Sequence, residues 1–317
     1  MDLAISGADV RAAAKRIPVL ARRTPVLSAD ACDARASRRV FFKCENLQRG
    51  GAFKIRGASN LILSLPKEAA ARGIVTYSSG NHAQAVAIAS RHVGAQATIV
   101  MPEDAPRTKM EATRAQGAKI VTYDRFTESR EAIASAILKE TGATLVPPFD
   151  HPMIMAGQGT AALELLEETG ELDAIVTPVG GGGLISGSAT IAKAMYPRIR
   201  VFGAEPEGAN DTFLSLAAGV RVTVPHPETI ADGLRSPRPG ELTFPVIQRL
   251  VECVVLVSDD EIRAAVKFLL LSLKILVEPS GAVPAAAVLF GKLPPEAQKV
   301  GVVISGGNVD FEELVKY

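Results

Sequence analysis

The stretch DAIVTPVGGGGLISGSATIAKA, residues 173–194, decides how the chain is read. It opens on a β-branched run, Asp173–Pro178, passes through four consecutive glycines, and continues in a small-residue pattern with helical spacing through Ser188–Ala194. A short apolar strand, a tight turn and a helix make the repeating unit of a parallel sheet covered by helices. Glycines at that turn leave backbone N–H groups open, with no Cβ in front of them, at the positive end of the following helix. Such a loop suits a phosphate. It is not a P-loop, because no Gly-Lys-Ser/Thr follows, and as a dinucleotide fingerprint it places Ser186 where the third glycine belongs. Glu205 does end a strand further on, so a nucleotide-binding reading stands beside the phosphate reading.

The same alternation extends in both directions. Further strand runs are expected at Val40–Lys43, Gly73–Tyr77, Ala97–Met101, Lys119–Tyr123, Arg200–Ala204 and Gly301–Ile304. Helical spacing fills Ala83–His92, Thr108–Gln116, Glu128–Thr141 and Thr160–Thr169. The fold class is therefore α/β, with parallel sheets and ligands held beyond the carboxyl ends of strands. Gly73–Phe149 forms a self-contained set of strand-helix units, entered after Pro66 and left through Pro147-Pro148. A small domain, 68–149, is expected to be inserted in a larger one made of 1–67 and 150–317.

Composition narrows the function classes. The 317 residues are 47% hydrophobic and 22% charged with a net charge of +1, which gives no electrostatic footprint for nucleic acid or an anionic membrane. Aromatics are 5% and Trp is absent, which argues further against base stacking. Cys32, Cys44 and Cys253 are too far apart for a metal motif or disulfide framework, so a reducing cytoplasm is the expected compartment. The N-terminal MDLAISGADVRAAAKR does not read as a signal peptide, and the apolar run at Phe268–Leu271 is too short to span a bilayer. The expectation is a soluble protein with neither nucleic-acid nor membrane partner.

Three more motifs flank predicted strands or helices. Gly50-Gly51-Ala52-Phe53-Lys54-Ile55-Arg56-Gly57 places a lysine between apolar neighbours. A desolvated amine there has a lowered pKa and serves as nucleophile and base, whereas an exposed one is an ordinary loop lysine. Ser78-Ser79-Gly80-Asn81-His82 lies between a strand and a helix, where open N–H groups and hydroxyls suit a carboxylate; the plainer reading is a helix cap. Ile304-Ser305-Gly306-Gly307-Asn308 ends another strand with a hydroxyl that brings hydrogen bonding without charge.

Taken in order, these motifs resemble the fold-type II pyridoxal-phosphate enzymes, within them the serine racemase and serine/threonine dehydratase branch and its 3-hydroxyaspartate dehydratase members. The likeness runs from Arg22-Arg23-Thr24-Pro25-Val26 through Ala156-Gly157-Gln158-Gly159-Thr160, Ala231-Asp232-Gly233 and Glu278-Pro279-Ser280-Gly281 to Ser305–Asn308. It implies two tryptophan synthase beta-like α/β domains. Lys54 would bind the cofactor covalently, Phe53 would pack beside its ring, and Asn81 would bond its phenolic oxygen. Gly180, Gly181, Gly182 and Gly183 would hold the phosphate, and Ser305 would face the pyridine nitrogen. Ser78, Ser79, Asn81 and His82 would grip the substrate carboxylate.

The activity implied is elimination of water from serine, threonine or 3-hydroxyaspartate, with Lys54 moving the α-proton, to give a 2-oxo acid and ammonia. Racemisation is the neighbouring reading, in which Ser79 serves the opposite face. Arg130 and Ser236 match positions that contact a second carboxylate. Glu205, the carbonyl of Ala209, and Asp211 match a Mg²⁺, Ca²⁺ or Mn²⁺ site, with a solvated acidic loop as the plainer alternative. A homodimer is expected from the family. Since no regulatory module follows Tyr317, a free-standing or catabolic enzyme is expected as well.

Overall fold

The computed structural model describes residues 3–105, 107–124 and 126–317; Met1, Asp2, Pro106 and Arg125 lie outside the described residues. Among the described residues, ten strands form two sheets. They are β1 (Val26–Leu27), β2 (Arg39–Cys44), β3 (Ile74–Tyr77), β4 (Ala97–Pro102), β5 (Lys119–Tyr123), β6 (Thr144–Leu145), β7 (Ala174–Pro178), β8 (Arg200–Pro206), β9 (Cys253–Val257) and β10 (Lys299–Ile304). The larger sheet has the order β1-β2-β10-β7-β8-β9 and the smaller the order β5-β4-β3-β6. Every pairing is parallel except β1 with β2.

The central strands explain their own position. From Val300 to Ile304, and throughout Ala174–Pro178, every residue is buried, as expected of strands covered on both faces. One face packs on a core that includes Phe42, Val176, Phe202, Val302 and the helix Pro279–Leu289. The other packs on Ile175, Val201 and the helices Pro152–Thr169 and Gly183–Met195. The smaller sheet is likewise sandwiched, with Ile74, Val86 and Ile55 in one cluster and Val75, Val100 and Tyr123 in another.

The seven strands read from sequence all exist, with ends shifted by up to two residues. Three others, β1, β6 and β9, are outside that reading. The helix expected at Thr160–Thr169 begins at Pro152, so Ala156–Thr160, glycines included, is helix interior rather than loop. All four strands of the smaller sheet come from residues 74–145. Among the described residues no helix is long and apolar enough to cross a membrane.

Candidate active site

A cavity of about 400 Å³ opens at the carboxyl ends of β3, β7 and β10, so that both sheets contribute to it. Phe53, Lys54, Ser78, Ser79, Asn81, His82, Arg130, Gly180–Gly183, Ser236 and Ser305 all line it. These residues are spread over more than two thirds of the chain, and the fold alone brings them together.

Lys54 begins the helix Lys54–Leu63. The preceding loop is stitched to the end of β10: Phe53 N donates to Ser305 O (2.9 Å), Gly307 N donates to Gly51 O (2.9 Å), and Ala52 bridges Gly306. The amine donates to the Pro148 carbonyl at 2.9 Å and lies 5.0 Å from the Phe53 ring centre. Burial lowers its pKa to about 8, against the opposing pull of Glu278. A neutral, nucleophilic amine is therefore accessible near physiological pH.

Gly182, at φ +94°, occupies a backbone conformation that side-chain-bearing residues rarely adopt, and it starts the 13-residue helix Gly183–Met195. The first amides of that helix have no helical acceptor and carry its positive dipole end. Gly183 and Leu184 line the cavity, so these amides can receive an anion there. The helix Asn81–His92 also begins within the cavity, and its first amides can do the same. An amine poised to attack and two separate anion sites fit a phosphorylated aldehyde and an amino acid substrate together.

Asn81 is fixed from both sides. Its Nδ2 donates to Glu278 Oε1 (2.7 Å), and its Oδ1 accepts from Asn308 Nδ2 (2.9 Å), which also donates to Gly50 O (2.7 Å). His82 is more constrained than its sequence suggests. A carbonyl can only accept, so His82 Nε2 carries the proton that it donates to Val146 O (3.0 Å). Its Nδ1 is then a bare acceptor, buried and without a partner, and burial followed by the nearby Lys54 lowers the ring pKa to about 3. The ring has no proton to give a carboxylate. Any grip by His82 comes from its backbone N–H at the helix start.

Arg130 stands at the cavity mouth with its guanidinium over the Tyr77 ring (5.1 Å to the centre) and its Nε paired to Glu131 (2.8 Å). Ser236 donates to Arg238 O (3.0 Å) on another wall. Glu278 and Gln158 also line the cavity. Sequence reasoning assigned them no role, although both lie in motifs that carried the family likeness. Their signal was present, but a motif name does not say which side chain turns inward.

Glu205 and Asp211 are elsewhere. Glu205 is the penultimate residue of β8 and Asp211 opens the helix Asp211–Ala218; both are fully buried, as is Ala209 between them. Glu205 accepts from Thr212 N (3.1 Å) and Phe213 N (2.8 Å), while neither Asp211 carboxylate oxygen has any hydrogen-bond partner. Burial and then the proximity of Asp211 raise the Glu205 pKa to about 8, and burial raises that of Asp211 to about 7. Among the described residues no third His, Cys, Asp or Glu joins them. Glu205 does not line the cavity, which removes the acidic residue that a dinucleotide site beside the glycine loop requires.

Comparison with known proteins agrees with this geometry. A family model described as "Pyridoxal-phosphate dependent enzyme" matches residues 17–306. The chain is 45% identical over 304 residues to L-threo-3-hydroxyaspartate ammonia-lyase from Saccharomyces cerevisiae, covering 96% of this chain and 93% of that one. It is 48% identical over 311 residues to serine racemase from Arabidopsis thaliana, covering 96% and 94%. The solved structure of maize serine racemase superimposes with a TM-score of 0.95 at 46% identity, over 99% of this chain and 96% of that one.

Proposed function

The chain belongs to the pyridoxal-phosphate dependent enzymes, and from that premise we propose an ammonia-lyase that removes water from a small β-hydroxy amino acid, leaving a 2-oxo acid and ammonia. The observation that carries the proposal is Lys54: a half-buried amine whose pKa burial lowers to about 8, in a cavity that two helix starts also line. The similarity to an L-threo-3-hydroxyaspartate ammonia-lyase supports the reaction class.

When bound, pyridoxal phosphate supplies the electron sink that lets an α-proton and then a β-hydroxyl depart. The chain supplies position and charge. The Gly180–Gly183 amides would hold the phosphate, Phe53 would pack on the ring, and Asn81, braced by Asn308 and Glu278, would bond the ring oxygen. Ser305, buried and uncharged, would face the pyridine nitrogen without a carboxylate to hold a proton there, which would favour rapid loss of the β-substituent. The backbone at Ser78–His82 takes the α-carboxylate, and the neutral Lys54 amine removes the proton at Cα. Arg130 with Ser236 offers a bidentate partner for a second carboxylate, so 3-hydroxyaspartate competes with serine and threonine.

The test is direct. Purified protein mixed with the cofactor develops the visible absorbance of a lysine-bound pyridoxal group, and Lys54→Ala abolishes it together with 2-oxo acid release. Arg130→Ala lowers kcat/KM for 3-hydroxyaspartate much more than for serine. Equal losses return the substrate to serine or threonine; turnover by Lys54→Ala at a tenth of the normal rate discards the mechanism.

Ser79, on the cavity wall, supports racemisation as a second activity, as does the likeness to serine racemases. Ser79→Ala then loses racemisation while keeping much of its elimination. We also assign Glu205, the Ala209 carbonyl and Asp211 to a Mg²⁺, Ca²⁺ or Mn²⁺ ion, supported by two buried carboxylates of which one has no partner. The small sheet and its helices, 68–149, are taken as the inserted domain.

A further inference from the structure

Residues 146–150 lead from the smaller sheet into the helix Pro152–Thr169, and Pro148 and Phe149 of this segment line the cavity. Val146 O accepts from His82 (3.0 Å) and Pro148 O accepts from Lys54 (2.9 Å). Phe149 packs against Gly181 so closely that a Cβ on Gly181 would run into its ring. Asp150, next in the chain, does not line the cavity. Its carboxylate accepts from three successive backbone amides, those of Glu241 (2.8 Å), Leu242 (2.9 Å) and Thr243 (3.2 Å). These amides begin the helix Thr243–Leu250, whose own N-cap residue, Leu242, supplies no side-chain bond. A carboxylate from 93 positions away therefore caps it.

What the capped turn holds is the glycine loop. Thr243 Oγ1 (2.7 Å) and Gly240 N (3.2 Å) both donate to Gly181 O. Because a trans peptide is planar, fixing that carbonyl fixes the Gly182 N–H in the opposite direction. Gly182 lines the cavity and Thr243 does not, so the held carbonyl turns this amide toward the cavity. The same stretch of chain, just upstream, presents Ser236 and Arg238 to the cavity.

We propose that Asp150 is a positioning residue that sets the glycine loop and the Ser236–Arg238 wall together, coupling the grip on the phosphate to the selection of the substrate side chain. The proposal rests on reading this cavity as the pyridoxal-phosphate site. Full-length protein carrying Asp150→Ala, Asp150→Asn or Thr243→Val tests it, with cofactor Kd from absorbance titration, kcat and KM for serine and 3-hydroxyaspartate, and Tm. Asp150→Ala is expected to raise the cofactor Kd about tenfold, since small misplacements of a preorganised site are amplified, and to raise KM for 3-hydroxyaspartate more than for serine. Asp150→Asn, which keeps an acceptor for Leu242 and Thr243, should fall between; Thr243→Val should weaken cofactor binding with little change in substrate preference. Cofactor Kd and both KM values within twofold of the unaltered protein, whatever happens to Tm, would make Asp150 a structural cap and overturn the proposal. If Asp150→Ala does not fold, the same criterion applies to Asp150→Asn. An unaltered protein that does not bind pyridoxal phosphate overturns the cavity reading first, before any variant is compared.

Discussion

Two clusters of buried charge lie in the larger half of the molecule, and they are built in opposite ways. In the first, Arg56 donates to both oxygens of Glu45 (2.7 and 2.8 Å) and both oxygens of Glu164 (2.7 and 2.8 Å), with Thr160 (3.1 Å) taking a further bond. Lys43 adds a bond to Glu164 (2.7 Å) and one to Thr24 O (2.6 Å). Two cations face two carboxylates, and although burial alone would lower the Arg56 pKa, Glu45 and Glu164 more than offset it and hold the group charged. In the second cluster, Glu205 and Asp211 are equally dry, but no cation stands beside them among the described residues and the Asp211 carboxylate has no hydrogen-bond partner. Paired charge of the first kind ties elements together, here the Lys54–Leu63 and Pro152–Thr169 helices and β2. Unpaired charge of the second kind is sustained only by a ligand or a proton.

Breaking the first cluster should have the largest effect. Arg56→Met leaves Lys43 as the remaining cation of the cluster, and removing one partner of a buried pair costs roughly 3–5 kcal/mol. Urea unfolding should show it, and added Mg²⁺ should not restore it. A loss below about 1 kcal/mol would mean that the paired network is not what holds these helices.

The second cluster should respond in the other sense. Asp211→Asn should leave the metal-free protein at least as stable, because it removes a buried negative charge, while erasing stabilisation by cation. With cation at a hundredfold over its Kd, that stabilisation is about 2.7 kcal/mol in the unaltered protein, seen as a Tm that tracks metal concentration. If chelation changes neither Tm nor activity and elemental analysis finds no metal, the contrast between the clusters collapses.

Lys54 lies between these extremes, a half-buried amine whose bond is to a carbonyl rather than a carboxylate. Its pKa is lowered to about 8, so the neutral, attacking form dominates above that pH. Covalent capture of the cofactor should therefore slow about tenfold per pH unit below the midpoint and level off above it. Capture that keeps rising through the ordinary lysine range would show that burial does not tune this amine. The smallest effect is expected at Arg23–Glu167, an ion pair of 2.8 Å on the same helix as Glu164 but exposed. Arg23→Ala should change stability by less than about 1 kcal/mol, which would isolate burial, rather than charge, as the source of the first effect.

Much of this molecule was readable one residue at a time. The apolar runs at β7 and β10 declare strands covered on both faces, because only such strands drop the alternation of polar and apolar positions. The glycines at 180–183, the serines at 78–79 and Lys54 follow their strands or open their helices, and the likeness of these motifs to a family carried their roles. β9 has the β-branched residues Val254, Val255 and Val257 and was legible in principle. β1 and β6, two residues each, are too short to show any period. The helix at Pro152–Thr169 outruns its propensity reading because packing keeps Gly157 and Gly159 helical where isolated peptide preference would not.

By itself the sequence determined which local units form and where an anion and an amine could sit, since backbone preference, burial period and helix ends are properties of near neighbours. Only the tertiary structure decided which charges are paired. Arg56 meets Glu164 across 108 positions and Asp150 caps a helix 93 positions away, whereas Glu205 and Asp211, close in sequence, gain no cationic partner among the described residues. The pKa values of Lys54 and His82 are likewise set by what the rest of the chain buries around them. Desolvation and hydrogen-bond satisfaction depend on groups that arrive from distant segments, and no local pattern records their arrival.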